Sequence, residues 1–174
     1  MKWLRWHKWA FVIIVLLLIG IMIGRNLFQS KYSLNYSSYQ ISSDKTNTPV
    51  RILQLTDLHN NEFGENNQEL IDRGASQSPD LILITGDLLN SDEPRTDIAT
   101  NLISSLCDIA PVYISLGNHE MEYQDNFGVN VIELYQAAGA EVLEYQYEDI
   151  TVNGQQLRLG GIYGYCLPEK YLET

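Results

Sequence analysis

Three short apolar runs most constrain the fold: "VRILQLT" (50–56), "DLILIT" (80–85) and "PVYISL" (111–116). Each is too short for an independent helix and nearly continuous in apolar side chains, the pattern of strands covered on both faces. Between them lie segments with helical periodicity. "NNQELIDRGA" places Leu70, Ile71 and Ala75 inward. "TDIATNLISSLCDIA" offers Thr96 as N-cap and a stripe of Ile98, Leu102, Leu106 and Ile109. "GVNVIELYQAAGA" (128–140) predicts a third helix, closed by Gly139. "EVLEYQYEDITV" and "QQLRLGGIYG" flank Asn153-Gly154, a hairpin on a type I′ turn. Upstream, "YSLNYSSYQI" (32–41) alternates as an exposed-edge strand would. The core order β-α-β-α-β-α-β-β predicts an α/β domain built on a parallel sheet.

The chain carries a formal net charge of −11, yet Lys2, Arg5, Lys8 and Arg25 surround the uncharged block "WAFVIIVLLLIGIMIG" (9–24). As a helix this block spans roughly 24 Å, and Trp3, Trp6 and Phe28 extend it toward the ~30 Å of a hydrocarbon core. A cleaved secretory signal shares the basic start and apolar middle, but no Ala-x-Ala-like site follows. The expectation is therefore a single-pass signal-anchor at the cell membrane, its N-terminus cytoplasmic and its domain extracytoplasmic. The chain divides into a basic segment (1–8), the anchor (9–24), a Ser/Asn/Tyr-rich tether with the edge strand (25–48) and the domain (49–174). Every acidic residue lies beyond the anchor, and the absence of Lys/Arg stripes argues against nucleic acid as a partner. Small phosphorylated ligands held through a cation stay open. Cys107 and Cys166 form no CxxC pair; Cys107 reads as a buried thiol, and a disulfide between them needs a geometry that sequence does not supply.

The chemistry lies where the three apolar runs stop. The first leads into Asp57 and His59, which share a side in extended chain; the second into Gly86-Asp87; the third into Gly117-Asn118-His119-Glu120. Carboxyl ends of successive parallel strands line one crevice. Asp57, His59, Asp87, Asn118 and His119 thus converge on one edge, with oxygen and imidazole donors suited to Mn, Fe or Zn and no thiolates. Each motif alone also reads as a turn or a cap; their recurrence at three consecutive strand ends favours a site.

"LTDLH", "ITGDLL" and "SLGNHE" resemble the motifs of the calcineurin-like metallophosphoesterases over residues 50–165, and the stretch "DLHNNEFGENNQELI … PDLILITGDLL … APVYISLGNHE" is particularly similar to membrane-anchored bacterial members. The resemblance implies a two-sheet sandwich flanked by helices, with two divalent metal ions. By the same resemblance Asp57 and His59 ligate one metal, Asp87 bridges both, and Asn118 ligates the second. His119 stands beside them as a non-ligating catalytic group. Phosphate mono- or diesters would be hydrolysed by in-line attack of a metal-bridging hydroxide. An external, membrane-held site points to small phosphorylated molecules or lipid and cell-envelope phosphoesters.

Three departures stand out. Family members draw further histidines from their second half, whereas this chain has three in all, at His7, His59 and His119. It reads as an N-terminal part, the fold incomplete at the C-terminus, and a non-catalytic membrane-tethered remnant or interaction module is the alternative function. Where the family often has an acid three residues after the bridging Asp, this chain has Asn90, with Asp92 nearby; Glu120 in place of the more frequent Asp reads as harmless. Tyr123, Tyr163 and Tyr165 could line a cleft or simply pack.

Overall fold

The computed structural model describes residues 2–162. The chain forms two units, residues 1–37 and 38–174. The first carries helix α1, Lys2–Tyr32, which outruns the apolar block at both ends. Its stretch Trp9–Asn26 is long and apolar enough to cross a membrane, and none of it is buried within the protein. A helix apolar on every face, with Trp9, Phe11, Leu16 and Leu17 all exposed, suits lipid; a signal sequence has the same character.

The second unit holds a four-stranded parallel sheet in the order β1-β2-β3-β4. Its strands are β1 (Ile52–Leu55), β2 (Leu81–Thr85), β3 (Val112–Ser115) and the two-residue β4 (Glu141–Val142). Leu81, Ile82 and Ile84 of β2 are buried, as a central strand covered on both faces requires. β1 is the edge, and Ile52 is exposed there. Helices α2 (Gln68–Ser76) and α3 (Asp97–Cys107) connect the first three strands. α3 buries Ile98, Leu102 and Leu106 of the predicted stripe together with Ala99 and Ile103, Ile109 lies past its end and is half-buried, and Thr96 is its N-cap position. α2 buries Leu70 and Gly74, the latter against Leu53; Ala75 faces solvent instead of the core.

Three expectations need correction. A helix not foreseen, α4 (Asn118–Phe127), begins directly at the Asn-His-Glu motif. Gly128, at φ 65°, ends it by donating to the Gln124 carbonyl, and Asn130 then caps α5 (Val131–Ala137) by accepting from Glu133 N–H. The single helix over 128–140 is therefore only its central part. "EVLEYQYEDITV" also splits: Glu141–Val142 joins the parallel sheet, and β5 (Gln146–Val152) pairs antiparallel with β6 (Gln155–Gly161) as a separate two-stranded sheet. The turn has the expected type I′ signature, with Asn153 at φ 51° and Gly154 at φ 76°. Lastly, residues 33–43 form no strand; Tyr39 and Ile41 are almost fully exposed, and alternation without a ladder partner does not make a strand. Tyr163, Tyr165 and Cys166 lie outside the described residues, so the Cys107–Cys166 pairing does too; the Cys107 thiol is partly buried, which raises its pKa.

Candidate metal centre

Register fixes the height of the site. Leu55 pairs with Ile84, and Ile84 with Ile114, so the three strands end level. The chain beyond β1 stays zipped to the chain beyond β2: Asp57 N–H donates to Gly86 O (3.2 Å), His59 N–H to Asp87 O (2.9 Å) and Asn60 N–H to Leu88 O (3.0 Å). Asp57, His59, Asn60 and Asp87 all take positive φ, between 48° and 55°. Asp57 and His59 are thus not in extended chain as the sequence suggested. Four non-glycine residues in this sparsely occupied region, side by side, mark backbone held in place by its surroundings.

Between the second and third loops the main chains nearly touch. A β-carbon on Gly86 would stand 2.7 Å from Gly117 Cα, and one on Gly117 would collide with the Asp87 carboxylate. Only glycine at both positions allows this approach. It sets Asp87 against the start of α4, where His119 N–H donates to Asp87 Oδ1 at 3.0 Å.

His59, Asp87 and His119, all half-buried, each offer a ligand-type atom within 4.8 Å of the others. The two imidazoles meet edge to face, with centroids 4.4 Å apart. Ser91 N–H donates to His119 Nδ1 (3.2 Å), so the proton of the neutral ring sits on Nε2. Asp57 stands at the rim, 63% exposed, its Oδ1 3.9 Å from His59 Nε2 and its Oδ2 accepting from the Thr56 hydroxyl. Asn118 opens α4 with an exposed side chain. With His119 Nδ1 engaged by Ser91 N–H and Nε2 carrying the proton, one Asp87 oxygen and one His59 nitrogen are the donors of this cluster that fit a divalent cation, with His119 beside them. Tyr123 does not line a cleft: it is buried and its hydroxyl donates to Pro94 O.

The residue that the sequence reading undervalued is Glu120. It is fully buried and accepts five hydrogen bonds. Oε1 takes Leu88 N–H (2.7 Å), Leu89 N–H (3.1 Å) and the Tyr135 hydroxyl (3.0 Å). Oε2 takes Asp87 N–H and Gly117 N–H, each at 2.8 Å. One carboxylate therefore fastens the Asp87 loop to the head of α4. Tyr135, buried beside this charge, has its phenol pKa pushed well up, by burial first and then by Glu120. A signal was available: Glu120 lies three residues after the N-cap Gly117, the spacing of a capping box.

The family model for calcineurin-like phosphoesterases matches residues 50–172. A phosphodiesterase of Escherichia coli (strain K12), YaeI, is 32% identical over 116 residues, 65% of this chain and 43% of that protein. An uncharacterized Bacillus subtilis (strain 168) protein, YpbG, is 22% identical over 129 residues, 74% of this chain and 48% of that protein. The chain thus spans less than half the length of these curated relatives. With motifs, parallel sheet and donor cluster all in register with that match, the chain belongs to the calcineurin-like phosphoesterase family.

Proposed function

We propose that this chain carries the N-terminal part of the site of a membrane-anchored, metal-dependent phosphoesterase. The observation that carries the reading is the convergence of His59, Asp87 and His119 at adjoining strand ends of a phosphoesterase-family domain. Asp57, His59, Asp87 and Asn118 are the proposed ligands of two divalent cations, Mn, Fe or Zn, with Asp87 between them. Such cations, when bound, supply the positive charge that neutralises a phosphoryl group and lowers the pKa of water. The chain's own residues do the rest. Glu120 and the Gly86–Gly117 contact hold the Asp87 main chain in place, and His119 N–H holds its carboxylate. His119, its Nδ1 engaged by Ser91 N–H, keeps Nε2–H as the donor it would offer to a phosphoryl or leaving oxygen. The substrate class is a small phosphorylated molecule or a lipid or cell-envelope phosphoester, mono- or diester, reached by a domain on the extracytoplasmic side of α1.

A second reading, a tethered interaction module without catalysis, is favoured by the exposure of two of the proposed ligands, Asp57 at 63% and Asn118, outside the cluster of His59, Asp87 and His119. Titrating Mn²⁺ into the detergent-solubilised full chain by calorimetry, alongside hydrolysis of chromogenic aryl phosphate mono- and diesters, separates the two. The phosphoesterase reading expects stoichiometric binding and turnover, both lost in Asp87→Asn. Metal binding without turnover, or neither, supports the module.

A further inference from the structure

The family resemblance leads one to expect a carboxylate behind His119, but position 90 is Asn90 and the partner of the ring is a main-chain group, Ser91 N–H. A peptide N–H can orient an imidazole only if its own segment is held, and one face of α4 supplies the hold. His119, Tyr123 and Asn126 are spaced i, i+4 and i+7, so they form a single stripe. All three bond residues 91–94. His119 Nδ1 accepts from Ser91 N–H at 3.2 Å, Asn126 Nδ2 donates to Ser91 O at 2.8 Å, and the Tyr123 hydroxyl donates to Pro94 O at 2.9 Å. Ser91 is thus gripped at both its N–H and its carbonyl by the helix that carries His119. Tyr123 is buried and rests on Phe127, with centroids 4.7 Å apart, which fixes its hydroxyl under Pro94.

We propose that Asn126 and Tyr123 are positioning residues for His119: they hold residues 91–94 on α4 so that the Ser91 N–H keeps the neutral imidazole in its Nε2–H tautomer. This rests on the reading above, in which Nε2–H faces the phosphoester. A carboxylate behind the ring would do the opposite, accepting a hydrogen bond from Nδ1–H and favouring imidazolium. In this chain the ring is set up as a hydrogen-bond donor to developing negative charge.

The test uses the full chain in detergent, labelled with ¹⁵N-histidine and free of metal, so that it does not depend on turnover. Long-range ¹H–¹⁵N correlations, recorded at one pH above the histidine range, report which ring nitrogen of His119 carries the proton. The wild-type protein is expected to show the Nε2–H pattern alone. Asn126→Asp keeps the size but presents no amide donor, and Tyr123→Phe removes only the hydroxyl. In the double variant the Nδ1–H form should rise roughly tenfold, about what one hydrogen bond's net contribution sets. Asn126→Gln, which restores a donor, should return the spectrum toward wild type. Asn126 is exposed and Tyr123→Phe keeps the buried ring, so the melting temperature checks that the variants stay folded. An Nδ1–H majority in the wild type, or a His119 pattern in the folded double variant that superimposes on wild type, overturns the proposal. A wild-type protein that hydrolyses no phosphoester, while its Nε2–H pattern gives way to Nδ1–H in the double variant, would count against the functional reading and leave this one standing.

Discussion

The sharpest perturbation is Glu120→Gln. All five partners of the carboxylate are donors, so a protonated acid would turn its O–H against an N–H. The amide creates the same conflict. If Gln keeps its oxygen at the three-donor side, its NH₂ group faces Asp87 N–H and Gly117 N–H, each of which had stood 2.8 Å from Oε2. Two hydrogen bonds to a charged group are lost, at roughly 1.5–3 kcal/mol each. The neutral side chain recovers some of the desolvation of a buried ion, which brings the expected net loss to about 3 kcal/mol. Against a total stability of roughly 5–15 kcal/mol this is large, and it lowers the melting temperature by roughly 10 °C for a domain of this size. Circular dichroism of the full chain in detergent reads it directly. Tyr135→Phe removes a single donor and should destabilise by about half as much. Both variants should also weaken Mn²⁺ binding, by roughly 10–100-fold for Glu120→Gln, because the Asp87 loop is no longer pinned. A Glu120→Gln protein melting within about 2 °C of wild type would refute the five-donor clamp.

Gly117→Ala drives a methyl group into the Asp87 carboxylate, with Asp87 N only 2.6 Å from the new carbon; calorimetry should show roughly 10–100-fold weaker Mn²⁺ binding, while the fold loses about 1–3 kcal/mol. Asp80 accepts Arg51 N–H at 2.7 Å, and this bond, followed by one from Asn153, holds its carboxyl below the usual carboxylate value. A folded-state pKa below the unfolded one stabilises above about pH 4 and is lost as pH falls through the folded value, so Asp80→Asn should flatten the acid limb of a stability–pH curve. Leu17→Arg, in the middle of α1, adds about 2.5–3.5 kcal/mol to membrane insertion; the variant should leave the membrane pellet on carbonate extraction where wild type stays.

The parallel sheet was legible because Leu81, Ile82 and Ile84 are apolar without interruption and bounded by turn residues, a pattern that few alternatives share. The α3 stripe was legible from its helical period, Ile98, Leu102 and Leu106 recurring every four residues. α4 was not: "NHEMEYQDNF" exposes Asn118, Glu122, Asp125 and Asn126 and buries only Glu120 and Tyr123, so no apolar periodicity announces a helix. Its start is set by Gly117 and by Glu120 reaching back to the N-cap. The site residues could be picked out because three strand ends must line one edge, but their conformations could not. Nothing in "TDLHN" states that Asp57, His59 and Asn60 adopt left-handed backbone; that follows from hydrogen bonds to a loop thirty residues away. The same holds for Glu120, whose five partners are main-chain groups and a tyrosine that only the assembled fold brings together.

The zipped loops after β1 and β2 carry a consequence for how the domain breathes. Loops at active sites usually exchange their amide protons quickly, opening in small local events while the sheet beneath stays closed. Here the N–H groups of Asp57, His59 and Asn60 are each spent on the neighbouring loop, and that loop is in turn bound by the buried Glu120. These amides have no cheap route to solvent. They should exchange with the slow class of β2, which makes this edge of the sheet part of the most persistent cooperative unit of the domain.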